Sequence, residues 1–245
     1  MMKTGILAVR TGKEILRDPL NIAFGIGFPV VLLLLLSAIQ ASIPVSLFEI
    51  DRLTPGIAVF GLSFISLFSG VLIAKDRSSS FMMRMRSAPV SAAAFIAGYI
   101  LPLLPVALAQ SLVCFAVALL LGAELSVYML LALIVLLPAA TLYISIGLLA
   151  GSLLNDKQVG GVCGALLTNV SAWLSGIWFD LSLIGGAFEK AANLLPFAHA
   201  VKAAQAAFAG DLSAVFPSLW WVIGYALVFM LLAVWVFSRR ALAKG

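Results

Sequence analysis

The sequence predicts an all-α membrane protein with six transmembrane helices, and three observations carry that expectation. The first is composition: 63% of the 245 residues are hydrophobic and only 10% are charged, against about 25% charged in soluble domains. A mean hydropathy of +1.17 would require a core wholly shielded from water, which a chain this short cannot supply. The second is length. Apolar runs near the roughly 20 residues that a spanning helix needs fall at 21–41, 55–74, 91–122, 126–152, 159–179 and 217–238. The third is charge asymmetry. Lys3, Arg10, Lys13, Arg17, Lys75, Arg77, Arg84, Arg86, Lys157, Arg239, Arg240 and Lys244 fall on one side of those runs, and only Arg52, Lys190 and Lys202 on the other. Basic residues concentrate on the cytoplasmic side, so both termini are expected there, in a cell inner (cytoplasmic) membrane. The net charge of +5 then reports topology and not nucleic-acid binding.

Each element follows from local pattern. Residues 2–18 interleave Ile6, Leu7, Val9, Ile15 and Leu16 with Lys3, Arg10, Lys13, Glu14 and Arg17, which suits a helix lying in the cytoplasmic interface. Asp18-Pro19 marks the turn into the first span. That span exceeds the usual signal-peptide core and no small-x-small cleavage site follows, so it is expected to be retained. The third and fourth runs contain Pro102, Pro105 and Pro138, which predicts tilting or kinking and no additional span. On the outer side, residues 193–209 read NLLPFAHAVKAAQAAFA, too short to cross but apolar, and predict a re-entrant or interfacial helix beginning near Pro196. The chain is therefore a single membrane domain over 1–245, with an interfacial helix at 1–20, a cytoplasmic loop at 75–90 and an outer re-entrant region at 180–216.

Several chemistries are poorly supplied. Ser175-Gly176 and the single histidine, His199, suggest an intramembrane serine protease of the rhomboid type, but that family wants glycine two residues before the serine and this chain has Trp173. An interfacial histidine bonded to backbone or water is the better reading. One histidine and two separated cysteines, Cys114 and Cys163, assemble no usual metal site; each cysteine reads as a small hydrophobe. A stand-alone channel or ion-coupled carrier would place an ionisable group at mid-bilayer at a cost of about 3 kcal/mol, yet all ten acids lie at or outside the span edges. ATP could supply the energy, but no GxxxxGK[ST] sequence is present. Any ATPase is then a separate polypeptide. The pairs Gly147/Gly151 and Gly160/Gly164 permit close helix approach, more readily within the chain than between subunits. Trp173, Trp178, Trp220, Trp221 and Trp235 suit headgroup anchoring.

Residues 75–91, KDRSSSFMMRMRSAPVS, carry the most information. As a helix from about Ser78 they offer Phe81, Met82 and Met85 on one face beside Arg84 and Arg86, with Ala88-Pro89 ending it. Such a segment either enters a groove on a partner or only fixes topology as a basic loop. With Asp76, Arg77, Phe81, Met82, Arg84 and Ala88-Pro89-Val90-Ser91 in that order, the chain resembles a bacterial ABC-2 type permease, the membrane subunit of an ABC exporter, over essentially its full length. LSGIWF at 174–179, followed by Pro196 and a short outer helix to Gly210-Asp211, is a second matching element. Ser80 stands where many members have glycine, and Asp180 where many have proline.

The resemblance implies export of an amphipathic, drug-like, lipid-like or glycan substrate by alternating access. It implies two copies of a separate ATP-binding subunit, a second permease protomer of the same or similar kind, and the lipid bilayer as partners. It implies no catalysis and no cofactor on this chain, with ATP and magnesium held by the ATPase. The short cytoplasmic helix becomes a coupling helix, and the residues expected to contact the ATPase are Asp76, Arg77, Ser80, Phe81, Met82, Arg84, Met85 and Pro89. Asp156 and Lys157 form a second expected contact.

Overall fold

The computed structural model describes residues 2–44, 48–82 and 90–242. Among these, every regular element is helical: α1 (Met2–Leu16), α2 (Pro19–Ser42), α3 (Ile50–Ser78), α4 (Ala92–Leu120), α5 (Tyr128–Leu153), a composite α6 over residues 156–174, α7 (Gly186–Leu194), α8 (Pro196–Ala209) and α9 (Leu212–Phe237). Five helices are long and apolar enough to cross a membrane: Ile22–Ser42, Ile50–Ser78, Ala92–Leu120, Tyr128–Leu153 and Leu212–Arg240. They lie where five of the six runs were expected. The run at 159–179 takes a different form. Helix α6 starts as Asp156–Val159, loosens into a π-helical stretch over Gly160–Leu167 and tightens again over Thr168–Leu174.

Pro102 and Pro105 are accommodated inside α4, and Pro138 inside α5, so neither helix is divided. Helix α8 begins with Pro196 at its first position and stops at Gly210, whose φ of +80° suits a residue without a Cβ. Its 14 residues extend about 21 Å at 1.5 Å per residue, short of the roughly 30 Å hydrocarbon core.

The most enclosed helix is α3, which packs against α2, α4, α5, α6 and α8. By contrast, α2 and α9 expose Phe24, Val31, Leu35, Leu227 and Leu231, a surface suited to hydrocarbon. Buried Cys114 and Cys163 are unpaired thiols within the packing.

Glycine sets the closest approach. A Cβ on Gly147 would fall 1.9 Å from Ser66 O, and one on Gly151 would fall 2.1 Å from Gly70 O. Backbone therefore touches backbone along the α3–α5 seam, and Ser69 Oγ donates across it to Ile144 O at 3.1 Å. Without a hydrophobic drive between helices in lipid, such close packing and interhelical bonding supply the association. The expectation of intrachain packing holds for Gly147/Gly151. Gly164 lies near Leu67, with its virtual Cβ 3.3 Å from Cδ2, while Gly160 meets nothing within 4 Å.

This seam yields the first test. Gly151→Ala drives a methyl into a carbonyl and is expected to lower stability by about 3 kcal/mol, the upper end for overpacking, whereas Gly160→Ala leaves it nearly unchanged. Thermal melts of the two variants in one detergent compare them.

Candidate functional site

The candidate site grows from an acid in an unfavourable place. Asp76 lies in the last turn of α3, where its charge opposes the helix dipole, and only 3% of the residue is exposed. A buried carboxylate needs charged and hydrogen-bonding partners, and two other helices provide them. Arg10 of α1 donates from Nη1 to Asp76 Oδ2 at 2.6 Å and from Nη2 to Oδ1 at 2.7 Å. Tyr99 of α4 donates its hydroxyl to Oδ2. The two parallel Arg10 bonds fix direction as well as charge.

The approach of α1 has a local cause. Leu7 and Thr11 are buried, and a Cβ on Gly98 would lie 2.8 Å from Leu7 Cβ. Glycine on α4 thus lets α1 settle close enough for Arg10 to reach Asp76. Glu14, one turn further along, brings Oε2 within 2.9 Å of Arg10 Nη2. The Asp76 carboxylate holds Arg10 more firmly protonated than an ordinary guanidinium. Burial, then the neighbouring Asp76 charge, pushes the Glu14 carboxyl upward.

Arg10 also reaches the segment after α3. Its guanidinium carbon sits 3.8 Å from the Phe81 ring centroid, a cation–π contact. Phe81 adjoins Phe95 at 6.2 Å, and Phe95 stacks on Phe237 of α9 at 4.5 Å. One buried node therefore joins α1, the end of α3, residues 80–82, α4 and α9.

Arg77 points elsewhere. Its Nη1 donates to Gly151 O at 2.6 Å and Leu154 O at 3.2 Å, while Arg240 donates to Leu153 O at 3.2 Å. Both cations satisfy carbonyls that the end of α5 leaves unpaired. The next turn is capped by Asn155 and Gln158, with Asp156 and Lys157 exposed. Asp76, Arg77, Ser80, Phe81, Met82, Asp156 and Lys157 thus share one end of the bundle. Arg84, Met85 and Pro89 lie outside the described residues.

The apolar side expected to face a partner is differently placed. Met82 is only 2% exposed, and Phe81 is half-buried against the node, so both pack on the bundle. Lys75, Ser78, Ser79 and Ser80 are the residues that face outward. The helix turns so because Phe95 and Arg10 offer Phe81 more favourable contacts than water does.

The family model for ABC-2 type transporters matches residues 2–209. The chain belongs to the ABC-2 type transporter family. No curated protein matches it. As an ABC-2 family member it is a permease component of membrane transport, a class that is generally non-catalytic and normally works with an ATP-binding subunit.

Arg10, Glu14 and Tyr99 were not among the residues expected at this site. The Arg10/Glu14 spacing marked a helix face, but neither it nor the apolar surroundings of Tyr99 identified a partner in α3. Ser175 and His199 do not bond to each other: Ser175 Oγ donates to Ala172 O, and His199 Nε2 pairs with Asn193 O at 2.8 Å. His199 stacks on Trp221 at 5.1 Å with the rings 2° from parallel. Burial lowers its pKa below the ordinary 6.5.

Two outcomes follow. Arg10→Ala, which strands the Asp76 carboxylate, is expected to cost about 3 kcal/mol, and Asp76→Asn in the same chain should recover part of that loss; denaturation of the single and double variants measures the coupling. The His199 imidazole binds a proton less readily folded than unfolded, so its contribution is fully present above pH 6.5 and is lost as pH falls through the depressed folded value. Melting between pH 7.5 and 5 should show a drop that His199→Gln reduces.

Proposed function

We propose that this chain is the membrane permease of an ATP-driven exporter, energised by two copies of a separate ATP-binding subunit and paired with a second permease protomer of the same or similar kind. The reading places it in the cell inner membrane with six crossings and both termini cytoplasmic. Its cargo leaves the cytoplasm by alternating access, and ATP and magnesium stay on the partner ATPase.

The observation that carries this reading is the meeting of α1, residues 75–82, the turn at 155–157 and the end of α9 at one basic end of the bundle. The ATPase pushes there on Lys75, Ser80, Asp156 and Lys157. The Arg10–Asp76 node passes the push to α1 and α3, and the stacked Phe95–Phe237 pair passes it to α9.

A sixth crossing is supported by the course of α6 along α3. A virtual Cβ on Gly70 meets Val159, one on Gly164 meets Leu67, and one on Gly56 meets Ile177. As residue number rises in one segment it falls in the other, so α6 and the residues just after it run antiparallel to α3. At the opposite end, Arg52 pairs with Asp180 at 3.6 Å and Gln205 donates to Arg52 O. These contacts suit an outer helix, α8, held against the span ends.

The test is mild-detergent purification from the native membrane together with ATPase assays. The chain is expected to carry an ATP-binding subunit, and Ser80→Glu with Lys157→Glu should abolish assembly or stimulation without lowering the melting temperature. Transport in liposomes free of any ATPase would instead make the protein a self-sufficient carrier.

A further inference from the structure

Helix α1 has two unlike faces. Leu7 and Thr11 are buried against the bundle, whereas Ile6, Val9 and Leu16 are 66%, 61% and 74% exposed, with exposed Lys13 and Arg17 beside them. Positions 6, 9, 13, 16 and 17 recur at the three- and four-residue spacing of a single helix face. Three large apolar side chains gathered on one face form a surface that water covers unfavourably.

The course of α1 indicates what covers it instead. A Cβ on Gly98 would lie 2.8 Å from Leu7 Cβ, and one on Gly12 would lie 3.6 Å from Pro102 Cβ. Residue number rises together in the two helices, so α1 runs beside the first half of α4, which spans Ala92–Leu120 and is long and apolar enough to cross a membrane. Leu101 of α4 is itself exposed. The outward face of α1 therefore lies level with the wall of a span and not beyond its end.

The charge on that face has one sign. Lys13 and Arg17 stand one turn apart, roughly 6 Å between Cβ atoms, and neither makes an ion pair with a described residue. Glu14, the acid that borders them, is taken by Arg10 at 2.9 Å. A groove lined by Ile6, Val9, Lys13 and Arg17 thus combines apolar wall with two unpaired cations. Their long stems can lie along hydrocarbon while the charged heads reach the headgroup layer.

We propose that the outward face of α1 is seated in one leaflet of the membrane and binds an anionic phospholipid, its phosphate between Lys13 and Arg17 and its acyl chains against Ile6, Val9 and Leu16. Net charge sets the preference, because a choline head brings its own cation to compete with the two side chains. That the leaflet is the cytoplasmic one rests on the orientation proposed above. The same helix carries Arg10, so the lipid holds α1 where the guanidinium reaches Asp76.

The experiment uses the purified full-length permease in nanodiscs, with a bimane probe on Val9→Cys or, as reference, on Val31→Cys of α2, an exposed position; the native Cys114 and Cys163 are buried. Quenching by brominated phosphatidylglycerol is compared with quenching by brominated phosphatidylcholine. Equal quenching by the two lipids is expected at position 31. At position 9 the anionic lipid should be preferred at least about tenfold, the preference falling to near one in the double variant Lys13→Gln, Arg17→Gln and at about 0.5 M salt, and surviving Lys13→Arg. A probe at position 9 that neither lipid reaches, as a second copy or water over that face would leave it, overturns the proposal. So does equal quenching there, an unchanged preference in the double variant, or displacement of both lipids by an added ATP-binding subunit. The comparison of positions 9 and 31 decides by itself if the double variant does not fold. Lipid preference is read without any ATPase, so a missing ATP-binding partner in the native membrane sinks the exporter reading without touching it.

Discussion

A carboxylate buried at the end of an apolar helix is the constraint around which this end of the molecule is organised. Asp76 cannot be left unpaired in a medium of low dielectric, and the helix that carries it supplies no counter-charge of its own at that depth. The counter-charge comes from α1, and the extra donor comes from α4 through Tyr99. The pairing decides where the N-terminal helix lies, how residues 80–82 turn after α3, and which way Phe81 faces. Removing the acid in favour of a hydrophobe would relieve a desolvation cost but would also remove the two bonds that tie α1 to α3.

The second organising feature is steric. Glycines on α3 and α5 bring the two backbones into contact, and Gly98 does the same for α1 on α4. In hydrocarbon no hydrophobic drive pulls helices together, so contact area and interhelical bonds must suffice. The seam between α3 and α5 is therefore where two helix backbones meet directly. Around it, α2 and α9 pack along narrower faces, and α6 gives up regular α-helical geometry over Gly160–Leu167. π-Helical stretches recur at functional sites, and this one lies in the helix that runs directly beside the most enclosed span.

Much of the architecture was legible because its signals are local. Apolar length located five long helices, and Pro196 with Gly210 bounded α8. Asp76 and the 155–157 turn were singled out through the family resemblance and not by any local signal of their own. Other features were hidden. Arg10 and Asp76 are 66 residues apart, and nothing in either neighbourhood names the other. Met82 belonged to an amphipathic pattern whose apolar side was expected to face a partner, yet the same pattern serves equally well for seating the segment on its own bundle. Periodicity tells which residues share a face but not what covers that face.

The sequence by itself determined that the chain lives in a bilayer, that it is helical, and that its charges gather in two opposed sets, because hydrocarbon imposes those outcomes on any chain of this composition. Tertiary structure alone decided which charges meet. It put Arg77 on the carbonyls of α5 and Arg10 on Asp76, and turned two of four similar glycines into backbone contacts. Pairing depends on distances across the bundle, and those are set by packing many residues away from either partner.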